Sequence, residues 1–459
     1  MRTRIALWGI AVLSMIGSLA PAQTAPPSTA PSAADERLNR LEQRFNDLEQ
    51  KYQSDLKTRD EEIARLKNQL DTKRAATTAP DEIEKTKQDV LSDIESRNPL
   101  VPTLRTPANF NPDLAVVTDF KGNVSTDNQN PARNRWDVGT VEFELRAPVD
   151  PRADAVAVIP FTRDVDDPLF FQPPAGPGAG DVNTGSEIEE AYLYLHDFGI
   201  PNLTAKVGRF HLHFGRWNLL HNHDWPTVDN NFATQSFLAT EAITDNGLSL
   251  SYVIPPKLVG DQYIELIAEI ISGEGSDDQP VINNNAFIDS PALNTHALWN
   301  HDIARDFNLE IGASWLTGKH NNNDSDNANL FGGDITLIHT DPRGGFHNQI
   351  AQAEMIYGLV DNTPGGDTQH ALGGWLLLQQ QLNRDWYLGM RLDWTQNAVD
   401  EHQEVWGVSP YLTWYWSEFL RFRAEYQHKA GDTKTEDTLY FQVTWVFGAH
   451  PPHPYWSMK

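Results

Sequence analysis

The chain has 459 residues, a formal charge of -27 from 36 basic and 63 acidic side chains, and no cysteine. The acidic balance argues against nucleic acid as a partner, because phosphate binding needs a basic footprint. The missing thiols exclude a disulfide framework, a thiolate metal site and a cysteine nucleophile. Solvated acidic loops and a cation-attracting interior both account for the charge.

Arg2 and Arg4 precede an apolar run from Ile5 to Leu19 and then Ala20-Pro21-Ala22. This predicts a secretory signal peptide over residues 1–22, cleaved after Ala22. Residues 23–34, rich in Pro, Ala, Ser and Thr, predict a flexible spacer. Over residues 35–74 the apolar positions Leu38, Leu41, Phe45, Leu48 and Tyr52 alternate steps of three and four. The register slips by four, and Leu56, Ile63, Leu66 and Leu70 resume the seam, so the segment predicts a coiled coil with one stutter. An apolar seam needs a partner, which points to a homo-oligomer such as a trimer. A lone amphipathic helix lying on a membrane or barrel is the other reading.

Residues 75–108 predict a linker with a short helix at 81–97, whose Ile83, Val90, Leu91 and Ile94 share a face between Pro80 and Pro99. From 109 to 447 the pattern changes to short period-two segments separated by Gly, Pro, Asn and Asp clusters. Mean hydropathy is -0.50, and after the signal no apolar run reaches the roughly 18–20 residues of a spanning helix. A transmembrane barrel fits, because each of its strands shows lipid only half its residues.

Three segments carry the alternation clearly. Trp386, Leu388, Met390, Leu392 and Trp394 oppose Tyr387, Gly389, Arg391 and Asp393. Leu420, Phe422, Ala424 and Tyr426 oppose Arg421, Arg423, Glu425 and Gln427, and Leu439 to Phe447 repeats the pattern. Charges at alternate positions suit a wet lumen. The fold class predicted is therefore an all-β transmembrane barrel of about sixteen antiparallel strands preceded by an α-helical coiled coil. Residues 371–382 fit less well, being apolar on both faces in places.

The stretch from Val207 to Trp225 concentrates the chemistry. Phe210, Leu212 and Phe214 are predicted on the lipid side of an extended strand, with Arg209, His211 and His213 lining the lumen and Lys206 snorkelling from the lipid face. Arg391, Asp393, Arg421, Arg423 and Glu425 are predicted to line the same lumen. Beyond the strand, His221, His223 and Asp224 make an imidazole and carboxylate set suited to zinc or another borderline cation. Residues 448–459 form a tail in which His450 and His453 are further candidate ligands, although a polyproline turn keeps them about 9 Å apart. A stiff exit tail is the plainer reading of that segment. The sequence shows no phosphate loop, no nucleophile elbow and no zinc-protease helix, which predicts a protein that is not an enzyme. Glu189 and Glu190 are adjacent on a strand, and so are predicted to point to opposite faces and not to cooperate.

Residues 187–255, with Glu-Glu-Ala-Tyr-Leu, Lys-Val-Gly-Arg-Phe, His-Asn-His-Asp-Trp and Asp-Asn-Gly-Leu-Ser-Leu-Ser-Tyr, resemble bacterial outer-membrane proteins labelled zinc-regulated TonB-dependent receptors. The ending Phe-Gly-Ala-His-Pro-Pro-His-Pro and Asn111-Pro112 resemble the same family. More distantly, the Val-Gly-Arg-Phe strand is similar to the phosphate-selective porins O and P, which implies a sixteen-stranded trimeric channel with basic residues in the lumen. The segment between Ala22 and the first strand is too short for a TonB-type plug and reads as spacer and helices, which favours passive diffusion.

The sequence thus predicts an outer-membrane, porin-like channel for small hydrophilic solutes, with zinc as the specific candidate ion. The N-terminal region would stand in the periplasm. The expected partners are outer-membrane lipid, other copies of the chain and the transported solutes or ions. A structural anchor that ties the membrane to peptidoglycan through the coiled coil is the alternative.

Overall fold

The computed structural model describes residues 112–448 apart from 128–131, 165–182, 197–198, 275–279, 284–289, 321–322, 362–366 and 433. The predicted signal, spacer, coiled coil and helix at 81–97 lie outside the described residues, as do His450 and His453.

The strands are β1 (Asp113–Ser125), β2 (Trp136–Asp150), β3 (Ala153–Asp164), β4 (Asn183–Ser186), β5 (Glu190–Leu195), β6 (Leu203–His211), β7 (Thr244–Val253), β8 (Tyr263–Ile271), β9 (Ala292–Ala304), β10 (Phe307–His320), β11 (Asn323–His339), β12 (Gln349–Val360), β13 (Gln369–Gln381), β14 (Trp386–Asn397), β15 (Asp400–Ser417), β16 (Leu420–Gly431) and β17 (Thr435–Gly448). Apart from β4 and β5, neighbours in sequence pair antiparallel, and β17 returns to β1, with Ala115 opposite Gly448 and Ser125 opposite Thr438. Closure removes both sheet edges. β4 and β5 pair with successive parts of β3, so together they fill one position and the seventeen segments make a sixteen-stranded barrel.

The polarity is that of a barrel standing in lipid. On β14, Leu388 and Trp394 are exposed while Arg391, Asp393 and Thr395 are buried inside. On β16, Tyr426 faces out and Arg421, Arg423, Glu425 and Gln427 face in. Aromatic side chains stand at the outer strand ends: Trp386 stacks on Trp414, and Trp416, Phe419, Trp445 and Phe447 are exposed near the same rim. Rings at that level suit a membrane interface.

β2 to β3, β9 to β10, β13 to β14 and β15 to β16 join through short turns at one end, the end at which β1 begins and β17 finishes. The opposite end carries the longer connections. The one between β6 and β7, residues 212–243, folds into the barrel and includes helix α1 (Phe232–Phe237). Its neck is closed by Leu212 N donating to Ile243 O at 3.2 Å and by Asn218, which pairs with Ile243 N and O and with Leu212 O.

Here the structure corrects the sequence reading of β6. Val207 faces outward, exposed beside Leu248 of β7, and Arg209 falls on that same outer side, where it pairs with Glu274. Lys206 lies instead over the Tyr192 ring, 4.9 Å from its centroid. Phe210, Leu212 and Phe214 are fully buried and join Trp217, Trp225, Phe237, Trp375, Leu377 and Tyr411 in an apolar cluster within the barrel. A period of two shows that two faces differ, and it is silent on which one meets lipid.

Candidate functional site

The inserted segment, residues 212–243, meets the wall in two chemically different ways. Toward β14 and β16 it is held by arginines. Arg391 donates to Asp229 Oδ1 at 2.9 Å, to the Asp229 carbonyl at 2.9 Å and to the Asn230 carbonyl at 3.2 Å, while its Nε holds Asp393 at 2.7 Å. Arg423 donates to the Thr227 carbonyl at 2.8 Å, Arg421 donates to the His223 carbonyl, and Val228 N donates to Glu425. Burial would raise the Asp229 carboxyl, but the Arg391 guanidinium holds it below the usual range.

Arg391, Arg421 and Arg423 do face inward, yet they are 0%, 1% and 5% exposed because the segment covers them. Asp393 and Glu425 are buried in the same contacts. Their work is to pin the segment.

Apolar contacts complete this attachment. Phe237 lies against Gly358 and Gly373, and Phe232 against Gly407, so closely that a Cβ at Gly358 would stand 2.8 Å from the Phe237 ring. Trp217 packs edge-on against Trp375 at 4.9 Å. The apolar inner face of β13 therefore meets protein, which explains the two-sided apolar pattern at residues 371–382.

Toward β2, β5 and β6 the segment presents imidazoles to carboxylates. β6 stops at His211, so the chain turns inward beside the start of β5. His211 Nδ1 lies 2.9 Å from the Asn218 carbonyl, which only accepts, so Nδ1 carries a proton. Nε2 then faces Glu189 Oε1 at 3.0 Å, a contact that requires a proton or a cation at Nε2. His221 Nδ1 stands 3.3 Å from Glu189 and 3.6 Å from Glu142 Oε1, and its Nε2 is 3.4 Å from Glu190. His223 Nδ1 is 3.6 Å from Glu142 Oε2, and its Nε2 is 3.8 Å from Glu144 and 3.5 Å from Asp224.

Burial would push both imidazoliums down, but the carboxylates prevail. Glu189 and Glu142 raise His221 well above its ordinary value, and Asp224 and Glu142 raise His223 to about 9.

Two triads have ligand atoms that all lie within 4.8 Å of one another: Glu189, His211 and His221, and Glu142, Glu144 and His223. This corrects the sequence reading of Glu189 and Glu190. Glu189 sits in a bend before β5, outside the strand alternation, so both carboxylates reach the histidines. His213 departs from His211: it bonds Glu269 of β8 at 2.8 Å. Sequence reasoning named His221, His223 and Asp224 and missed Glu142 and Glu144. Those two are separated by one residue on β2, hence on one face, which was the available signal.

No family model matches the chain. It is 25% identical over 359 residues, 70% of each chain, to a protein of Aquifex aeolicus (strain VF5) described as uncharacterized. Among solved structures, it is similar to an anion-selective porin from Comamonas acidovorans (10% identity, TM-score 0.49, covering 73% of this chain and 99% of that one). OprB of Pseudomonas putida (11%, 0.48, 73% and 94%) and the outer-membrane channel DcaP of Acinetobacter baumannii (11%, 0.47, 73% and 97%) are similar to a comparable degree. The barrel assignment rests on the strand pairing described above.

Proposed function

We propose that the protein is a porin-like outer-membrane channel for passive diffusion of small hydrophilic solutes, with divalent metal ions such as zinc as the specific cargo. The observation that carries this reading is the placement of an imidazole and carboxylate cluster on a segment inside a closed barrel whose exterior is apolar. An apolar exterior supports residence in lipid, and the acidic cluster supports cations over anions. Short turns on the side where β1 begins support a periplasmic N-terminal region, with a trimer as the proposed assembly. The resemblance to zinc-regulated receptors supports the choice of ion. The segment that fills the interior lies between β6 and β7, unlike a plug that precedes a barrel, and this supports passive over energised transport. Purified protein in planar bilayers should give stepwise conductance in salt. A silent bilayer, with correctly folded protein recovered from it, would end the channel reading.

One observation favours the second reading, a structural anchor. The lumen-facing arginines are almost wholly covered, so the interior beside β14 and β16 is filled. Retention of the full chain on peptidoglycan together with absent conductance would support the anchor.

A further inference from the structure

We infer that the cluster between β2, β5 and the inserted segment is a paired divalent-cation site in which the Glu142 carboxylate bridges two ions, one held by His211, His221 and Glu189 and the other by His223 and Glu144. The inference rests on the metal reading proposed above and adds a stoichiometry and a bridging ligand.

Spacing is the first argument. Two ligand atoms about 2.0–2.1 Å from one tetrahedral ion stand about 3.3–3.4 Å apart. The His221 Nδ1 to Glu189 distance is 3.3 Å, and the two Glu142 contacts are 3.6 Å each. These are longer than charge-assisted hydrogen bonds, which run about 2.7–2.9 Å. The first set converges on His221 Nδ1 and His211 Nε2, whereas in the second Glu142 faces His223 Nδ1 and Glu144 faces Nε2 at 3.8 Å, so a reorientation of Glu144 or of the His223 ring is needed to bring both carboxylates onto one ion.

Glu142 supplies the second. Its side chain is 1% exposed, and among the described residues neither oxygen has a hydrogen-bond partner. A buried carboxylate without hydrogen bonds is costly. The two oxygens divide between the histidines, Oε1 toward His221 and Oε2 toward His223, whose ring centroids are 5.6 Å apart. That division is what a bridging carboxylate does.

Charge supplies the third. Five carboxylates gather around three imidazoles in a largely buried site, a donor set rich in acidic oxygen. Divalent ions suit such a set, and the Asn218 carbonyl already turns His211 so that Nε2 faces the site. Imidazole with carboxylate and no thiolate suits zinc and its neighbours over copper(I) or calcium.

The test is a Zn²⁺ titration of metal-free full-length protein in detergent, by calorimetry and by metal analysis after gel filtration. The background is H450A/H453A, so that the tail histidines do not add to the count. Two ions per chain are expected, and E142Q should hold at most one or bind at least tenfold more weakly. Should E142Q fail to fold, H223Q serves in its place and should retain one ion. One ion in the unaltered site, or two that neither variant weakens, overturns the bridge and leaves the metal reading standing. No bound zinc overturns both, while leaving the conductance test of the channel untouched.

Discussion

The two attachments of the inserted segment use similar numbers of charges and solve opposite problems. On the β14 and β16 side each named charge has a donor or acceptor at hydrogen-bond distance, as Arg391 does with Asp229 and Asp393 at 2.9 and 2.7 Å. On the β2 and β5 side, Glu142 stands 3.6 Å from each of two histidines and accepts no hydrogen bond among the described residues. The first attachment closes its ion pairs with protein groups, and of its named charges, among the described residues, only Glu425 Oε1 and Arg421 Nε lack a hydrogen-bond partner. The second is spaced for something to enter it.

The largest effect should come from the arginine side. Arg391→Met leaves Asp229 and Asp393 buried without their cation, and breaking a buried pair by removing one partner costs about 3–5 kcal/mol. Thermal unfolding in detergent should move down accordingly, and limited proteolysis should newly cut within residues 226–238. An unchanged melting temperature would mean that the arginine contacts do not hold the segment.

Zinc should stabilise the other side. At a free concentration about 100 times Kd, a ligand bound only by the folded state adds about 2.7 kcal/mol per site. The unaltered protein and Arg391→Met should gain similar increments, because Arg391 bonds Asp229, Asn230 and Asp393 and none of the cluster residues. E142Q should gain markedly less. Equal zinc stabilisation in E142Q would merge the two sides into one undifferentiated interface.

The barrel was far more legible than this contrast. The alternations around Arg391, Arg421 and Trp445 predicted their inner and outer faces correctly, because those strands run between lipid and a polar interior and their residue types differ sharply. β6 was not legible, because its inner face ends in Phe210 and the chain beyond it continues with the apolar Leu212 and Phe214. Phe210, Leu212 and Phe214 enter an interior cluster, and no local pattern distinguishes that cluster from lipid. The histidines were visible as a group, but their partners arrive from β2, some eighty residues earlier along the chain. Only the pairing of β2 with β3, and of β3 with β5, brings them together.

A smaller effect tests the close approach of the segment to the wall. Gly358→Ala would place a methyl 2.8 Å from the Phe237 ring, with Gly373 confining the same ring from β13. Overpacking of this kind costs about 1–3 kcal/mol. Because Phe237 belongs to the helix next to the Arg391 contacts, the loss should appear in unfolding while zinc stoichiometry is preserved. A simultaneous fall in zinc binding would show that the two attachments move together.

The smallest effect is a pH dependence that the arginine side contributes. The Asp229 carboxyl is held below its usual range because the Arg391 guanidinium outweighs burial. A carboxylate whose folded pKa is depressed contributes stability that is present above its unfolded value, about 3.9, and is lost as pH falls through the lower folded value. Acidification from pH 5 to pH 3 should therefore loosen the segment at β14 and β16. The decisive quantity is a difference: Asp229→Asn should flatten the fall in stability over that interval relative to the unaltered protein, measured without metal. Superimposable pH profiles for the two proteins would mean that the ion pair with Arg391 adds nothing to the hold, leaving the hydrogen bonds from Arg391 and Arg423 to the Asp229 and Thr227 carbonyls as the attachment.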